Sequence, residues 1–305
     1  HCTTDYTNAV VTRELSNKFS LPWVYEMRGQ LELTWVASRP EQLRDEAAKS
    51  ERVRLLRAKE AELANAANAV IVLSQVQRDD LISRGVPGEK ISVIANAVAA
   101  ELLTKNLTPQ QARSQLGLPT EGIWVGSVSS LVDYEGFDVL LSAVALAREA
   151  GIDLRCALVG DGVSRQRLQH QVNEYGLADY VVLPGRKPNS ESALWHQSLD
   201  IFATPRRDHS VTRVVTPLKI IEAMALNRPV VASDLPALAE LTAVPGSGLL
   251  AKPDDEKSLA EAIIELANNA ELRTELAAAG RKFASTRTWE AAAQTCQNIY
   301  QHICE

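Results

Sequence analysis

Ile123-Trp124-Val125-Gly126-Ser127-Val128, an amphipathic stretch over residues 137–150, and Leu154-Arg155-Cys156-Ala157-Leu158-Val159 form the succession that decides the fold. A short run apolar throughout, a helix-length segment and a second apolar run make a unit of a parallel sheet covered on both faces. Downstream the pattern repeats. Strand-like residues 180–183, 200–203, 229–232 and 248–250 alternate with helical 163–175, 190–196, 217–226 and 236–241. Such alternation predicts a doubly wound parallel sheet whose ligands lie at the carboxyl ends of the strands. The Ala-, Leu- and Glu-rich tail from Leu259 predicts two or three helices, broken near Gly280 and Thr288.

Upstream, residues 21–25, 69–73 and 91–94 predict strands, 41–67 one long charged helix and 75–84 a second helix. Three strands are fewer than an open sheet usually holds, so the N-terminal domain reads as truncated. The expected division is a partial N-terminal Rossmann-like domain at 1–100, a linker at 101–121, a C-terminal domain at 122–285, and a final helix at 286–305 that packs back on the N-terminal domain. The chain starts at His1 with no initiator Met and no signal-peptide pattern, which reads as a fragment.

Composition narrows the function. The 305 residues are 46% apolar and 23% charged, enough to bury a core and too apolar for disorder. With 38 acidic against 32 basic residues the formal charge is −6, which argues against nucleic acid as a partner. No apolar run approaches the ~20 residues of a membrane span. The cysteines Cys2, Cys156, Cys296 and Cys304 are scattered without a C-x-x-C pair, so a cytoplasmic location is expected and a zinc knuckle is not.

The stretch from Arg206 to Ala225 carries the chemistry. Thr216 before Pro217 predicts an N-cap followed by proline at the first helical position. Lys219 in the first turn has the wrong sign for the helix dipole, which together with the upstream Arg206, Arg207 and Arg213 points to an anion at that helix start. Glu222 follows on the same face, placed to accept from sugar hydroxyls; the competing reading is an exposed Lys219–Glu222 pair worth a few tenths of a kcal/mol. Gly160-Asp161-Gly162 lacks the third glycine of a dinucleotide loop and reads as a tight βα turn. His209 is either a phosphate contact or an exposed loop residue. Trp23 and Trp35 flank 26–29 and either line a cleft or pack.

The run Thr216-Pro217-Leu218-Lys219-Ile220-Ile221-Glu222-Ala223-Met224-Ala225, continuing to Asp234, resembles the donor-site signature of glycosyltransferase family 4, retaining enzymes of GT-B fold, in a subgroup with a TPLK-x-x-EAMA core. Tyr25-Glu26-Met27-Arg28-Gly29, Val93-Ile94-Ala95-Asn96-Ala97-Val98, Leu158-Val159-Gly160-Asp161-Gly162 and Leu183-Pro184-Gly185-Arg186 are similar to further family segments, in order. The resemblance implies an α/β GT-B molecule of two Rossmann-like doubly wound domains. It implies transfer of a sugar, with retention, from a UDP- or GDP-linked donor to a glycan or lipid-linked acceptor, with no metal and no cofactor. Peripheral membrane association stays open.

By the same resemblance, donor binding falls to Ser129, Ser130, Arg186, Lys187, Thr216, Leu218, Lys219 and Glu222, catalysis to Arg28 and Lys219, and the acceptor side to Glu26 and Gly29. The sequence also departs from the family. The first Glu of its E-x7-E motif falls on Val214, an Arg and a Lys after the first donor-domain strand are replaced by Ser129, Ser130 and Glu135, and a catalytic-region His is matched by Arg28. These departures support the alternative of a relative that binds nucleotide sugar without turnover. A Rossmann oxidoreductase is a third reading, disfavoured by the absent glycine.

Overall fold

The computed structural model describes residues 1–305. Its contacts divide the chain into two bodies. The first comprises His1–Asn96, His209–Thr216 and Glu290–Glu305, and the second Ala97–Asp208 and Pro217–Trp289.

The first body contains β1 (Cys2–Thr3), α1 (Tyr6–Phe19), β2 (Val24–Met27), α2 (Leu31–Ala37), α3 (Glu41–Ala48), α4 (Glu51–Ala66), β3 (Ala69–Val72), α5 (Gln75–Ser83) and β4 (Ile91–Val93). Its sheet is parallel in the order β1-β2-β3-β4. Residues 41–67 are not one helix. They break at Lys49-Ser50, because the Ser50 hydroxyl accepts from the Val53 amide and so starts a new helix. β1 and α1 carry no clear sequence signal. β1 is two residues long, and α1 buries only Ala9 fully, so neither imposes a period on its residues. The first strand predicted at 21–25 lies at Val24–Met27.

The second body begins with α6 (Pro109–Leu116), β5 (Ile123–Val128), α7 (Phe137–Glu149), β6 (Leu154–Val159), α8 (Arg165–Glu174), β7 (Val181–Gly185), α9 (Asn189–Gln197) and β8 (Ile201–Thr204). After α10 (Ser210–Val214), which belongs to the first body, it continues with α11 (Leu218–Ala225), β9 (Val230–Ser233), α12 (Pro236–Thr242), β10 (Gly248–Ala251), α13 (Glu256–Asn268) and α14 (Ala270–Ser285). The last helix, α15 (Trp289–Cys304), lies almost wholly in the first body, where Cys296, Ile299 and Ile303 pack on Val24 and Ile71.

Residues 101–121 are not a separate linker. They belong to the second body, and α6 starts on a reciprocal cap: Gln111 N donates to Thr108 Oγ1 at 3.2 Å, and Thr108 N to Gln111 Oε1 at 2.9 Å.

The second sheet runs β10-β9-β8-β5-β6-β7, all parallel. Neighbouring strand residues face opposite cores, as the two-residue period of a strand requires. Val125, Leu158 and Val231 pack with α7 and α13, while Trp124, Ala157 and Val230 pack with α9, α11 and α12. Each fully buried Leu, Val or Phe of these cores contributes roughly 1.5–3 kcal/mol. The expected break at Gly280 does not occur. α14 runs through it, because a glycine lets that helix lie close to α11; a Cβ there would stand 3.1 Å from Met224 Cγ. The break falls at Asn269, whose side chain accepts from Leu272 N at 2.9 Å.

Candidate functional site

In the second sheet, β5, β6 and β7 run outward in one direction and β8, β9 and β10 in the other, so the strand order reverses between β5 and β8. Ligands of open parallel sheets bind beyond the strand ends at such a reversal. A cleft of about 480 Å³ lies there, lined by Ser129 and Ser130 after β5, Gly160 and Asp161 after β6, Arg186 and Lys187 after β7, and Trp195 of α9. Backbone bonds fix its rim: Ser129 N donates to Val159 O at 2.9 Å and Gly160 N to Gly185 O at 3.1 Å. Gly160 is at φ 144°, and a Cβ would sit 1.9 Å from Ser129 O, so only glycine permits this approach. Gly160-Asp161-Gly162 is thus a βα turn, as its missing third glycine indicates.

Behind Ser129 lies a buried charge network. The Glu135 carboxylate accepts from Arg206 at 2.9 Å and pairs with the Lys219 ammonium, which also donates to Ser129 Oγ at 2.8 Å. All three charged side chains are at most 9% exposed. Gly136, at φ 70° with a hypothetical Cβ 1.9 Å from Pro205 O, brings the turn after β5 against the turn after β8 and so sets Glu135 beside Arg206. Burial pushes the Glu135 carboxyl up, but Arg206 and Lys219 together outweigh it and hold it at about 2. Burial, reinforced by Arg206, draws Lys219 down to about 8 despite Glu135. Two cations and one anion leave a net positive charge beside the cleft.

These contacts correct several expectations. Lys219 pairs with Glu135, across the strand ends, and not with Glu222 on its own helix. The basic cluster is largely neutralised: Arg206 by Glu135, and Arg207 by Asp138 and by Asp254 at 2.7 Å. Thr216 is not an N-cap. α11 starts at Leu218 with Pro217 as its cap residue and no side-chain cap bond, which leaves first-turn amides without a side-chain acceptor. Thr216 groups with the first body, where its carbonyl accepts from Asn96 Nδ2 at 3.0 Å and its buried hydroxyl has no hydrogen-bond partner. Leu218 is 38% exposed.

Glu222 sits one turn along α11 from Lys219. Its carboxyl is raised by burial, and its Oε2 lies 3.9 Å from Nε2 of His196, a contact the sequence did not suggest. His196 is buried, stacks on Phe202 at 5.1 Å, and is drawn down to about 3 by desolvation, then by Lys219 and Arg228. It therefore faces Glu222 as a neutral ring at physiological pH.

Within the first body, Arg28 donates to Glu26 Oε1 at 2.7 Å and to Asn96 Oδ1 at 3.1 Å. With Gly29 it lines a cleft shared with Thr4, Asp5 and Asn8. Trp23 and Trp35 do not line it: Trp23 is buried in the core, and Trp35 lies under the guanidinium groups of Arg39 and Arg52. His209 Nε2 lies 3.2 Å from Arg44.

Residues 109–283 match the family model of the glycosyl transferases group 1, and residues 1–97 match that of the glycosyl transferase 4-like domain. The chain belongs to the group 1 glycosyl transferases. Among curated relatives, an uncharacterized glycosyltransferase of Methanocaldococcus jannaschii is 29% identical over 60% of this chain and 48% of its own. The D-inositol 3-phosphate glycosyltransferase of Stackebrandtia nassauensis is 29% identical over 70% and 48%. The putative colanic acid biosynthesis glycosyltransferase WcaL of Escherichia coli is 27% identical over 63% and 46%. The chain thus spans about half the length of the curated relatives it matches.

Among solved structures, sucrose-phosphate synthase from Thermosynechococcus elongatus superposes with a TM-score of 0.80 at 24% identity, covering 98% of this chain and 72% of that one. Anabaena HepE in complex with UDP gives 0.78 at 22%, covering 97% and 77%. These likenesses establish for this glycosyl transferase the fold foreseen from sequence, two Rossmann-like parallel-sheet domains of GT-B type. No helix is long and apolar enough to cross a membrane.

Proposed function

We propose that this chain carries the donor site of a retaining hexosyltransferase that moves a sugar from a UDP- or GDP-linked donor to a glycan or lipid-linked acceptor. One observation carries the reading: Lys219, already hydrogen-bonded to the cleft residue Ser129, brings a buried positive charge to the strand ends. When the donor breaks, negative charge grows on the departing diphosphate while the anomeric carbon becomes cation-like. Fixed cations and amides beside the diphosphate stabilise that charge more than they stabilise the intact donor. Lys219, Arg186, Lys187, the Ser129 and Ser130 hydroxyls and the Leu218 amide take this part, and no metal is assigned. Glu222 accepts from the ribose hydroxyls. On the first body, Arg28, Glu26 and Gly29 are assigned to the acceptor. HepE, solved with UDP and with UDP-glucose, and relatives described in colanic acid and amylovoran biosynthesis favour a nucleotide sugar and a polysaccharide-assembly role carried out in the cytoplasm or at the membrane surface.

The test is calorimetric titration with UDP and GDP, together with transfer from UDP- and GDP-sugars monitored by NMR at the anomeric centre. Lys219→Ala removes a charge-assisted contact worth about 1.5–3 kcal/mol, so affinity for the cognate diphosphate drops roughly ten- to a hundredfold. Unchanged affinity refutes the assignment. Val214 and Glu135 stand where the family carries a Glu and a Lys, which favours a second reading, a relative that binds donor without turning it over. Binding without transfer or donor hydrolysis by the full-length protein selects that reading.

A further inference from the structure

The buried arginines of this chain are not alike. Arg113 faces Asp200 at 2.8 Å and Arg206 faces Glu135 at 2.9 Å, whereas Arg228, 7% exposed, has no carboxylate within ion-pair distance. Its Nε donates to Leu226 O at 2.9 Å, and its Nη1 to Leu199 O at 2.9 Å and Gln197 O at 3.4 Å. Carbonyls at the ends of α9 and α11 therefore hold the group and offset part of its charge. Its Nη2 is left over.

Arg228 opens on a cavity of about 280 Å³ whose lining includes Lys105, Asn106, Thr108, Asn227 and Arg281, and no acidic residue. Arg281 makes its one hydrogen bond to the Leu103 carbonyl, and neither it nor Lys105 forms an ion pair. Burial draws the Arg228 guanidinium down to about 10; Asp200 opposes this, but that carboxylate is already bonded to Arg113, and both Arg113 and Arg281 add to the depression. Three cations thus converge on a small space without a counter-charge, in a chain whose formal charge is −6. The cavity is at the amino-terminal side of β9, between Asn227 and the α6 entry, and shares no lining residue with the strand-end cleft.

We propose that this cavity is a second anion site, taking a phosphoryl group carried by a free phosphate ester or by a lipid headgroup. The remaining Nη2 of Arg228, the unbonded nitrogens of Arg281 and the Lys105 ammonium supply donors and charge for the oxygens of a phosphate monoester, where a single carboxylate leaves charge uncompensated. Its volume admits such a group together with part of the alcohol that carries it. The inference does not depend on the donor reading, since the residues are different.

The experiment is calorimetric titration of inorganic phosphate into the wild-type chain, Lys105→Gln, Lys105→Gln/Arg281→Gln and Lys219→Ala. In parallel, the same proteins are sedimented with phosphatidylcholine vesicles with and without phosphatidic acid. Saturable phosphate binding that weakens by roughly tenfold or more in the double variant and survives in Lys219→Ala supports a free phosphate ester as the ligand. Binding to phosphatidic acid vesicles alone, lost in the same variants, supports a lipid headgroup. Because Lys105 is exposed, Lys105→Gln remains a fair test if loss of the Arg281 bond to Leu103 unfolds the double variant. With like charges relieved, Lys105→Gln should be at least as stable as wild type in phosphate-free buffer. No binding of either probe, unchanged binding in Lys105→Gln and the double variant, or loss of binding in Lys219→Ala overturns the proposal.

Discussion

Replacing Glu135 by Gln tests the charge network most directly. Glu135 is buried between Arg206 and Lys219, and they hold its carboxyl at about 2 against a reference of 4.5. At 1.36 kcal/mol per unit, that displacement amounts to about 3 kcal/mol of folded-state stabilisation, the lower end of the range for breaking a buried pair and leaving its partners uncompensated. The folded value is depressed, so this stabilisation is present above the unfolded value of 4.5 and is lost as pH falls towards about 2. Urea denaturation followed by tryptophan fluorescence and circular dichroism at pH 7 should show Glu135→Gln destabilised by about 3 kcal/mol, with a melting temperature lower by roughly 6–12 °C. The gap to wild type should narrow below pH 4.5. A saturating nucleoside diphosphate should recover part of the loss, because its phosphates return negative charge to Lys219. A variant within about 1 kcal/mol of wild type at pH 7, or a gap that does not depend on pH below 4.5, would show that the carboxylate is not held by its cations and refute the reasoning.

Three further outcomes follow from the same geometry. Lys219 is drawn down to about 8, so diphosphate affinity measured by calorimetry should fall as pH rises through 8 to 9.5, and this slope should vanish in Lys219→Ala. Gly160→Ala places a methyl 1.9 Å from Ser129 O at a φ that L-residues avoid; it should cost several kcal/mol or abolish diphosphate binding, and a variant that melts and binds like wild type would contradict the described turn. His196 is drawn down to about 3, so the unfolded chain takes up a proton below its ordinary value of 6.5 while the folded one does not. Stability should therefore decline from pH 6.5 downward, by about 2 kcal/mol at pH 5 from this group, and denaturation of His196→Leu over the same range should show a shallower decline.

Part of the cleft was legible in advance. Ser129, Ser130, Arg186 and Lys187, picked out in the sequence through the family resemblance, follow β5 and β7, and a parallel sheet puts such strand ends on one side, where these residues line one cleft. Glu135 was read only as a missing Lys. Its pairing with Lys219 and Arg206 joins positions 84 and 71 residues apart, and no local period encodes a contact between turns that meet only when β8 pairs with β5. The Thr216-Pro217 pair resembled a helix start, yet the helix starts one residue later and the Thr216 carbonyl is bonded to Asn96. α1 escaped notice because it buries little, and Gly280 misled because close helix packing also selects glycine.

By itself the sequence determined the parallel α/β architecture and the side of the sheet on which the cleft opens, because two-residue and 3.6-residue periods are imposed by backbone geometry and are written residue by residue. Tertiary structure alone decided which charges neutralise one another and which are left over, Lys219 taken by Glu135 and Arg228 left without a carboxylate. Electrostatic pairing depends on distance in space and on the exclusion of water, and neither exists until the turns of distant strands have been packed together.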